Sequence, residues 1–247
     1  MAGLDLEAVW RLTNIRKGKN MSLCEKYRPT SWPDFVGQEK AVKMLRHCIG
    51  RWQASGESDA VWLSGGSGMG KTTAARIIAA DLGATDMYSL IEYNGKFVRA
   101  NIVQEIERMI WFCPPSGGWK VIIIDEAHLM TDGAVEAMLN LLEKLPPRRL
   151  FIFTSTSDLL QKAPVASCKV ERPWIDFGEH NGPMARRCKR FPFTNQGIGE
   201  PGAAMLKRIA ETEGLDGQDI AKYRRHLSDC GNNLGLALNE IEMGIML

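Results

Sequence analysis

Short apolar runs at 61–64, 90–93, 121–124, 150–154 and 190–193 alternate with helix-forming segments along this chain. That alternation predicts a parallel sheet covered by helices on both faces. The run Val121-Ile122-Ile123-Ile124 has no polar position at all, as expected of a strand buried on both faces. Between the third and fourth runs, Val135, Met138, Leu139 and Leu142 recur at helical spacing, with Asp132 as the expected N-cap. Phe191-Pro192-Phe193 puts a proline inside a strand-like run, which assigns it to a sheet edge, where a missing N–H is harmless. Beyond about residue 195 the strand signal stops. Segments 203–213, 219–228 and 234–243 predict three short helices separated by glycine-bearing turns, a small all-helical lid domain. No internal repeat or low-complexity linker interrupts the pattern.

Composition narrows this picture without changing it. With 247 residues, 45% of them hydrophobic, the chain can hold one large domain and a small one. No apolar run approaches the roughly eighteen residues needed to span a bilayer, and the N-terminus lacks a signal-peptide core, so a cytoplasmic protein without membrane contact is expected. Cysteines at 24, 48, 113, 168, 188 and 230 form no C-x-x-C pair, which predicts free thiols. The net charge of +2 does not mark a nucleic-acid binder, so any DNA contact must be local. Cations are dense at Arg16-Lys17-Gly18-Lys19, at Arg148-Arg149 and at Arg186-Arg187-Cys188-Lys189-Arg190.

Two segments carry chemistry. Gly65-Gly66-Ser67-Gly68-Met69-Gly70-Lys71-Thr72 fits G-x-x-x-x-G-K-[ST], in which backbone N–H groups curl round phosphate oxygens. Lys71 would reach the outer phosphates and Thr72 would ligate Mg²⁺. The strand before this loop and the helix opening at Thr73 would set the phosphates at a helix N-terminus. About fifty residues on, the apolar third strand ends in Asp125-Glu126, at the edge where open α/β sheets bind ligands. Asp125 would hold Mg²⁺, and Glu126 would polarise the attacking water. Paired acids after a strand can also be only a helix start; following this loop, they predict binding and hydrolysis of a nucleoside triphosphate, which the family likeness below implies is ATP.

Further motifs carry a family resemblance. Glu25-Lys26-Tyr27-Arg28-Pro29 followed by Phe35-Val36-Gly37-Gln38-Glu39 resembles the opening box of AAA+ clamp-loader ATPases. The likeness continues through Glu92-Tyr93-Asn94, Asp125-Glu126-Ala127-His128, Leu141-Leu142-Glu143-Lys144-Leu145-Pro146-Pro147, Phe151-Ile152-Phe153-Thr154-Ser155-Thr156 and Arg187-Cys188. The relatives are replication factor C small subunits and the bacterial DNA polymerase III gamma/tau subunit. The resemblance implies an N-terminal extension over 1–21, an ATPase domain over 22–195 with an inserted loop at about 158–186, and a lid over 196–247. It implies that Tyr27, Arg28, Pro29 and Val36 lie near adenine and ribose, and that Thr156 is the sensor-1 residue facing the γ-phosphate or the water. Arg187 is implied as an arginine finger acting on a neighbouring subunit, in the register of Cys188 and with Arg186 where the family has serine. Asn94 occupies the place of a polar residue that restrains the catalytic glutamate. The implied partners are primer-template DNA held by phosphate contacts, a sliding clamp, and other clamp-loader subunits or further copies of the chain.

Four departures qualify this likeness. Gly235 stands where the lid helix of the family carries the sensor-2 arginine, and the zinc-binding cysteines of gamma/tau are absent, so no metal beyond Mg²⁺ is expected. The insert holds Cys168 and His180, which with Cys188 match no zinc-site spacing. No collar segment follows the lid, which implies a fragment or a compact relative. Asp125-Glu126-Ala127-His128 also spells a DEAH helicase box, but no second RecA-like domain accompanies it. A recombination or fork-maintenance AAA+ ATPase, or a nucleotide-binding partner without turnover, stays open as an alternative.

Overall fold

The computed structural model describes residues 21–115, 117–156 and 182–247. Its elements in chain order are α1 (Leu23–Lys26), α2 (Glu39–Ser55), β1 (Asp59–Ser64), α3 (Lys71–Asp81), β2 (Leu90–Asn94), α4 (Ala100–Ile110) and β3 (Lys120–Asp125). They continue with α5 (Asp132–Leu142), β4 (Arg149–Ser155), α6 (Pro183–Arg187), β5 (Lys189–Pro192), α7 (Gly199–Glu213), α8 (Ile220–Asp229) and α9 (Leu234–Glu242). Short 3₁₀ turns cover Trp32–Asp34, Gly95–Phe97 and Ala127–Leu129.

The five strands form one sheet in the order β2-β3-β4-β1-β5, with every pairing parallel. Strand β4 is buried along its whole length and β3 along all but its last residue, so hydrophobic contact on both faces holds the centre of the sheet. Trp62 and Phe153, partners across β1 and β4, stack with centroids 5.6 Å apart, and Phe151 stacks on Phe153 at 6.2 Å. Strand β5 lies at the edge with Pro192 at its end, as the proline requires. Helix α5 starts at Asp132 with Thr131 as its N-cap, one residue before the expected position; of the expected stripe Val135 and Met138 are buried, joined by Ala134 and Leu141, while Leu139 and Leu142 are partly buried. Helices α2 and α4 are additional to the segments expected. Their buried sets, Ala41, Leu45, Ile49 and Trp52 in one and Val103, Ile106 and Ile110 in the other, recur at helical spacing, so both helices were legible in the sequence.

Two compact units divide the described residues: 39–194 holds the sheet, and 21–38 groups with 195–247. The opening segment, expected within the ATPase domain, groups with the helices because Leu23 joins their core beside Ala203, Leu206, Tyr223 and Ile241. Lys26 pairs with Glu213 at 2.7 Å, and the Tyr27 hydroxyl donates to the same carboxylate. The Leu23 N–H donates to Glu242 at 3.2 Å. Helices α8 and α9 are capped by Asp219 and Asn233, whose side chains accept from the N–H of Lys222 and Leu236.

Arg148-Arg149, dense in cations by sequence, splits in two. Arg148 is exposed, whereas Arg149 is only 2% exposed and donates to the carbonyls of Ile110 (2.5 Å) and Pro147 (3.0 Å). Lys120, on the neighbouring strand, donates to the carbonyl of Met109 at 2.7 Å, and burial beside Arg149 holds its ammonium below the usual lysine range. The two cations satisfy the last carbonyls of α4, where a helix end attracts positive charge. Replacing Arg149 by Ala removes its bonds to the Ile110 and Pro147 carbonyls. The expected loss is roughly 2–3 kcal/mol, the scale of a hydrogen bond to a charged group, read as a lower urea midpoint at unchanged slope.

Candidate active site

The phosphate-binding loop joins the end of β1 to α3, within the sheet-bearing unit. Gly65 is obligatory there: its φ is +147°, and a Cβ would stand 2.4 Å from the carbonyl oxygen of Phe193. Gly70 adopts the left-handed conformation as N-cap of α3, so the helix presents its first N–H groups to the loop. Lys71 is buried, and its ammonium donates to the carbonyls of Gly65 at 2.9 Å and Gly66 at 2.6 Å, holding its charge at the loop mouth. The Arg76 guanidinium on α3 grips Glu92 on β2 through two bonds of 2.9 and 2.8 Å, fixing the helix against the sheet.

Asp125 ends β3 and accepts from the Thr72 hydroxyl at 2.8 Å. A carboxylate and a hydroxyl side by side are the hard oxygen pair that suits Mg²⁺. Glu126 follows in the left-handed region, φ 52° and ψ 46°, a turn that separates its side chain from that of Asp125. Its carboxylate accepts from the Thr156 hydroxyl at 2.8 Å and lies 3.4 Å from Nε2 of His128. His128 Nδ1 in turn lies 3.3 Å from the Ser155 hydroxyl.

Three residues at this site escaped the sequence reading. Thr154, fully buried in β4, donates its hydroxyl hydrogen to Asp125 and accepts from the Glu126 N–H at 3.1 Å, so one hydroxyl aligns both acids. Its signal was a hydroxyl in line with Leu150, Phe151, Ile152 and Phe153, since a polar group buried on both faces needs a partner. His128 shared the motif with the acids but drew attention only as a helicase spelling. Gly95 lets the turn after β2 approach the acids: a Cβ there would meet the Glu126 carbonyl oxygen at 2.4 Å.

Other expected residues are placed as follows. Asn94 pairs in register with Asp125, but its side-chain oxygen accepts from the Lys96 N–H at 3.0 Å, capping the turn; the hydrogen bond observed on the Glu126 carboxylate comes from Thr156. Tyr27, Arg28, Pro29 and Val36 lie in the other compact unit, where Arg28 pairs with Glu25 at 2.7 Å. In α9, a Cβ at Gly235 would make ordinary contact with Cys24 and Asn233 at 3.4 Å. Residues 16–19, Cys168 and His180 lie outside the described residues.

Arg187 ends α6, two residues before Lys189, which pairs with Val61 near the start of β1. It therefore sits at the edge of the sheet where strands begin, about six residues of strand, roughly 20 Å, from its own phosphate-binding loop. Its guanidinium donates to Glu143 and, at 3.2 Å, to the Pro183 carbonyl, beside a cavity of about 540 Å³ also lined by Glu57 and Asp59. Cys188 is buried, which pushes its thiol far up from the ordinary range, so it packs as a neutral side chain. Lys189 is paired with Asp59.

A P-loop nucleotide site on a β2-β3-β4-β1-β5 parallel sheet, with a carboxylate pair after β3 and a separate helical unit, defines an AAA+ ATPase fold. A sequence profile for the P-loop domain of the Holliday junction DNA helicase RuvB matches residues 27–146. The chain is 29% identical over 213 residues to the replication factor C small subunit of Halobacterium salinarum, covering 84% of this chain and 58% of that protein. It is 29% identical over 161 residues to the DNA polymerase III gamma/tau subunit of Mycobacterium tuberculosis H37Rv, covering 55% of this chain and 27% of that protein. Among solved structures, the Thermotoga maritima RuvB Holliday junction branch migration motor superposes with a TM-score of 0.64 at 21% identity, over 87% of this chain and 64% of that one. The chain thus has the AAA+ fold and is similar to curated clamp-loader subunits, of whose lengths it spans about a quarter to somewhat over half.

The double bond of Thr154 yields a direct test. Thr154→Val keeps the shape and removes the hydroxyl, and ATP hydrolysis should fall roughly 10- to 100-fold, the usual scale for loss of a group that orients a metal ligand. Nucleotide affinity, measured by fluorescence titration, should move little, and Thr154→Ser should restore most of the rate.

Proposed function

We propose that this chain is a Mg²⁺-dependent ATPase acting as a motor subunit of a DNA sliding-clamp loader, in an oligomer on primer-template DNA. The observation that carries the reading is the division of catalytic groups between two edges of one sheet. Lys71, Thr72, Asp125, Glu126 and Thr156 gather where strands end, while Arg187 stands where they begin. An arginine at that edge is out of reach of its own nucleotide and available to a neighbour's.

In this mechanism the loop from Gly65 to Thr72 and the first turn of α3 bind the phosphates through backbone N–H groups, with Ser67, Gly68, Met69 and Thr73 completing the cradle. Tyr27, Arg28, Pro29 and Val36 are assigned to adenine and ribose on the family likeness. Thr72 and Asp125 hold Mg²⁺, which when bound neutralises phosphate charge. Lys71 leaves the loop carbonyls for the β- and γ-phosphates. Glu126 polarises the attacking water, and Thr156 fixes the rotamer from which it does so. Asn94, beside Asp125 in register, is assigned a regulatory role. Arg187 exchanges Glu143 for the phosphoryl group of the adjacent subunit. Clamp-loader relatives support DNA and a clamp as partners. Binding to DNA phosphates would be salt-sensitive and largely independent of sequence. Trp111 and Phe112, 62% and 72% exposed after α4, offer an aromatic surface for a protein partner at the strand-start edge. Among the described residues no helix is long and apolar enough to cross a membrane, in keeping with a cytoplasmic site of action.

A second reading, a recombination ATPase acting on four-way junctions, is favoured by the RuvB profile match over residues 27–146. Hydrolysis assays with primer-template plus clamp and partner subunits, against a four-way junction, decide between the two by which DNA stimulates turnover. Glu126→Gln should lower the rate by about 100-fold or more, and Arg187→Ala by about a thousandfold. Mixing the two inactive variants should restore part of the activity, because each supplies the group that the other lacks. Absence of rescue would overturn the shared site.

A further inference from the structure

The helical unit contains a cluster for which nucleotide chemistry has no use. His226 and Cys230 lie four residues apart on α8 and so share a face. Glu240, on α9, completes the group: a ring nitrogen of His226, the Cys230 sulfur and a Glu240 carboxylate oxygen all lie within 4.8 Å of one another. The sulfur is 3.7 Å from Oε2 of Glu240 and 3.9 Å from Nε2 of His226, while Nδ1 of His226 is 3.6 Å from the same carboxylate oxygen.

The 3.6 Å separation of Nδ1 from the carboxylate oxygen is slack for a hydrogen bond, since N–H···O contacts close to about 2.7–3.2 Å. The 3.7 Å contact of the Cys230 sulfur with Glu240 is of ordinary length for a thiol hydrogen bond, and both lengths also suit donors that share a cation. Zinc bonds of about 2.0–2.3 Å in a tetrahedron set neighbouring ligand atoms roughly 3.3–3.8 Å apart. We propose that His226, Cys230 and Glu240 form a binding site for a thiophilic divalent cation of the Zn²⁺ class, which ties α8 to α9.

Two further observations fit. The imidazole is 92% enclosed, His226 being 8% exposed, and its Nε2 lies 3.4 Å from the Ala237 carbonyl oxygen. With Nε2–H turned toward that carbonyl, the kind of second partner that metal-bound histidines use to fix their tautomer, the Nδ1 lone pair faces Glu240. Glu240 is half-buried, so solvent can reach the cluster and water can fill a fourth position. The nitrogen, sulfur and oxygen donor set disfavours Mg²⁺, which takes oxygen ligands, so this site is chemically distinct from the Thr72–Asp125 pair. Binding replaces the Cys230 proton, which burial and Glu240 otherwise hold on the sulfur. A cation here departs from the expectation of no metal beyond Mg²⁺; the i, i+4 spacing of His226 and Cys230 matches no C-x-x-C pair.

The test needs neither nucleotide nor turnover, so its outcome is independent of the ATPase reading. The whole chain is stripped with chelator and titrated with Co²⁺ as a spectroscopic probe. We expect one equivalent bound, with a thiolate-to-cobalt absorption band that Zn²⁺ displaces, and a higher melting temperature on adding Zn²⁺. Cys230→Ser and the milder Glu240→Gln should lose the band and the thermal shift, while Cys113→Ser, which alters an exposed thiol elsewhere, should keep both. No band in the wild type, a band that survives Cys230→Ser, or one lost with Cys113→Ser would overturn the site.

Discussion

Parallel pairing of β3, β4 and β1 in one register is the constraint on which the rest of the catalytic unit depends. Asp59 is level with Leu150, and Lys120 with Arg149, so the three strands begin together and end together. Their ends carry Ser64, Ser155 and Asp125 to one edge, where the Gly65 N–H bonds the Ser155 carbonyl at 3.3 Å. A slip of one residue would move Asp125 by about 3.3 Å and break its contact with Thr72. Burial of Ile122 and Ile124 with Trp62, Phe151 and Phe153 on one face, and of Val121 and Ile123 on the other, opposes such a slip.

Hydroxyl groups, rather than charges, organise the acids at that edge. Thr72 and Thr154 bond Asp125, Thr154 also holds the Glu126 backbone, and Thr156 holds the Glu126 carboxylate. A neutral donor leaves a carboxylate its charge and its affinity for a cation or water, whereas an arginine in the same place would compete for it. Apart from Lys71 at the loop mouth, several described cations of the unit serve elsewhere. Arg149 and Lys120 close the end of α4, Arg76 braces Glu92, and Arg187 rests on Glu143. The two edges of the sheet thus differ in chemistry.

The helical unit follows a different economy. Its core of Leu206, Ile209, Tyr223, Leu227, Leu238 and Ile241 is small, and polar links supplement it. The Tyr223 hydroxyl donates to Asp216 at 2.8 Å, holding that carboxyl below its ordinary range, and Lys207 approaches Asp216 at 3.3 Å. The His226, Cys230 and Glu240 cluster belongs to the same set of connections between neighbouring helices.

Sequence by itself determined the strands, the phosphate-binding loop and the acids at the end of β3, because each is local. Residues 65–72 fit a loop whose glycines and lysine have few other uses together, and a run such as Val121–Ile124 can rest only inside a sheet. The proline of 191–193 even assigned β5 to an edge. Charge and polarity were less legible, since their meaning depends on what they face. Arg149 read only as one of a dense pair of cations and is buried; Thr154 read as part of a strand and aligns two acids; the 21–38 segment read as part of the ATPase domain and packs with the helices. Strand order, the distance of Arg187 from its own loop and the meeting of His226 with Glu240 were decided by tertiary structure alone. Each brings together residues whose separation in space follows from pairing and packing, which no local pattern encodes.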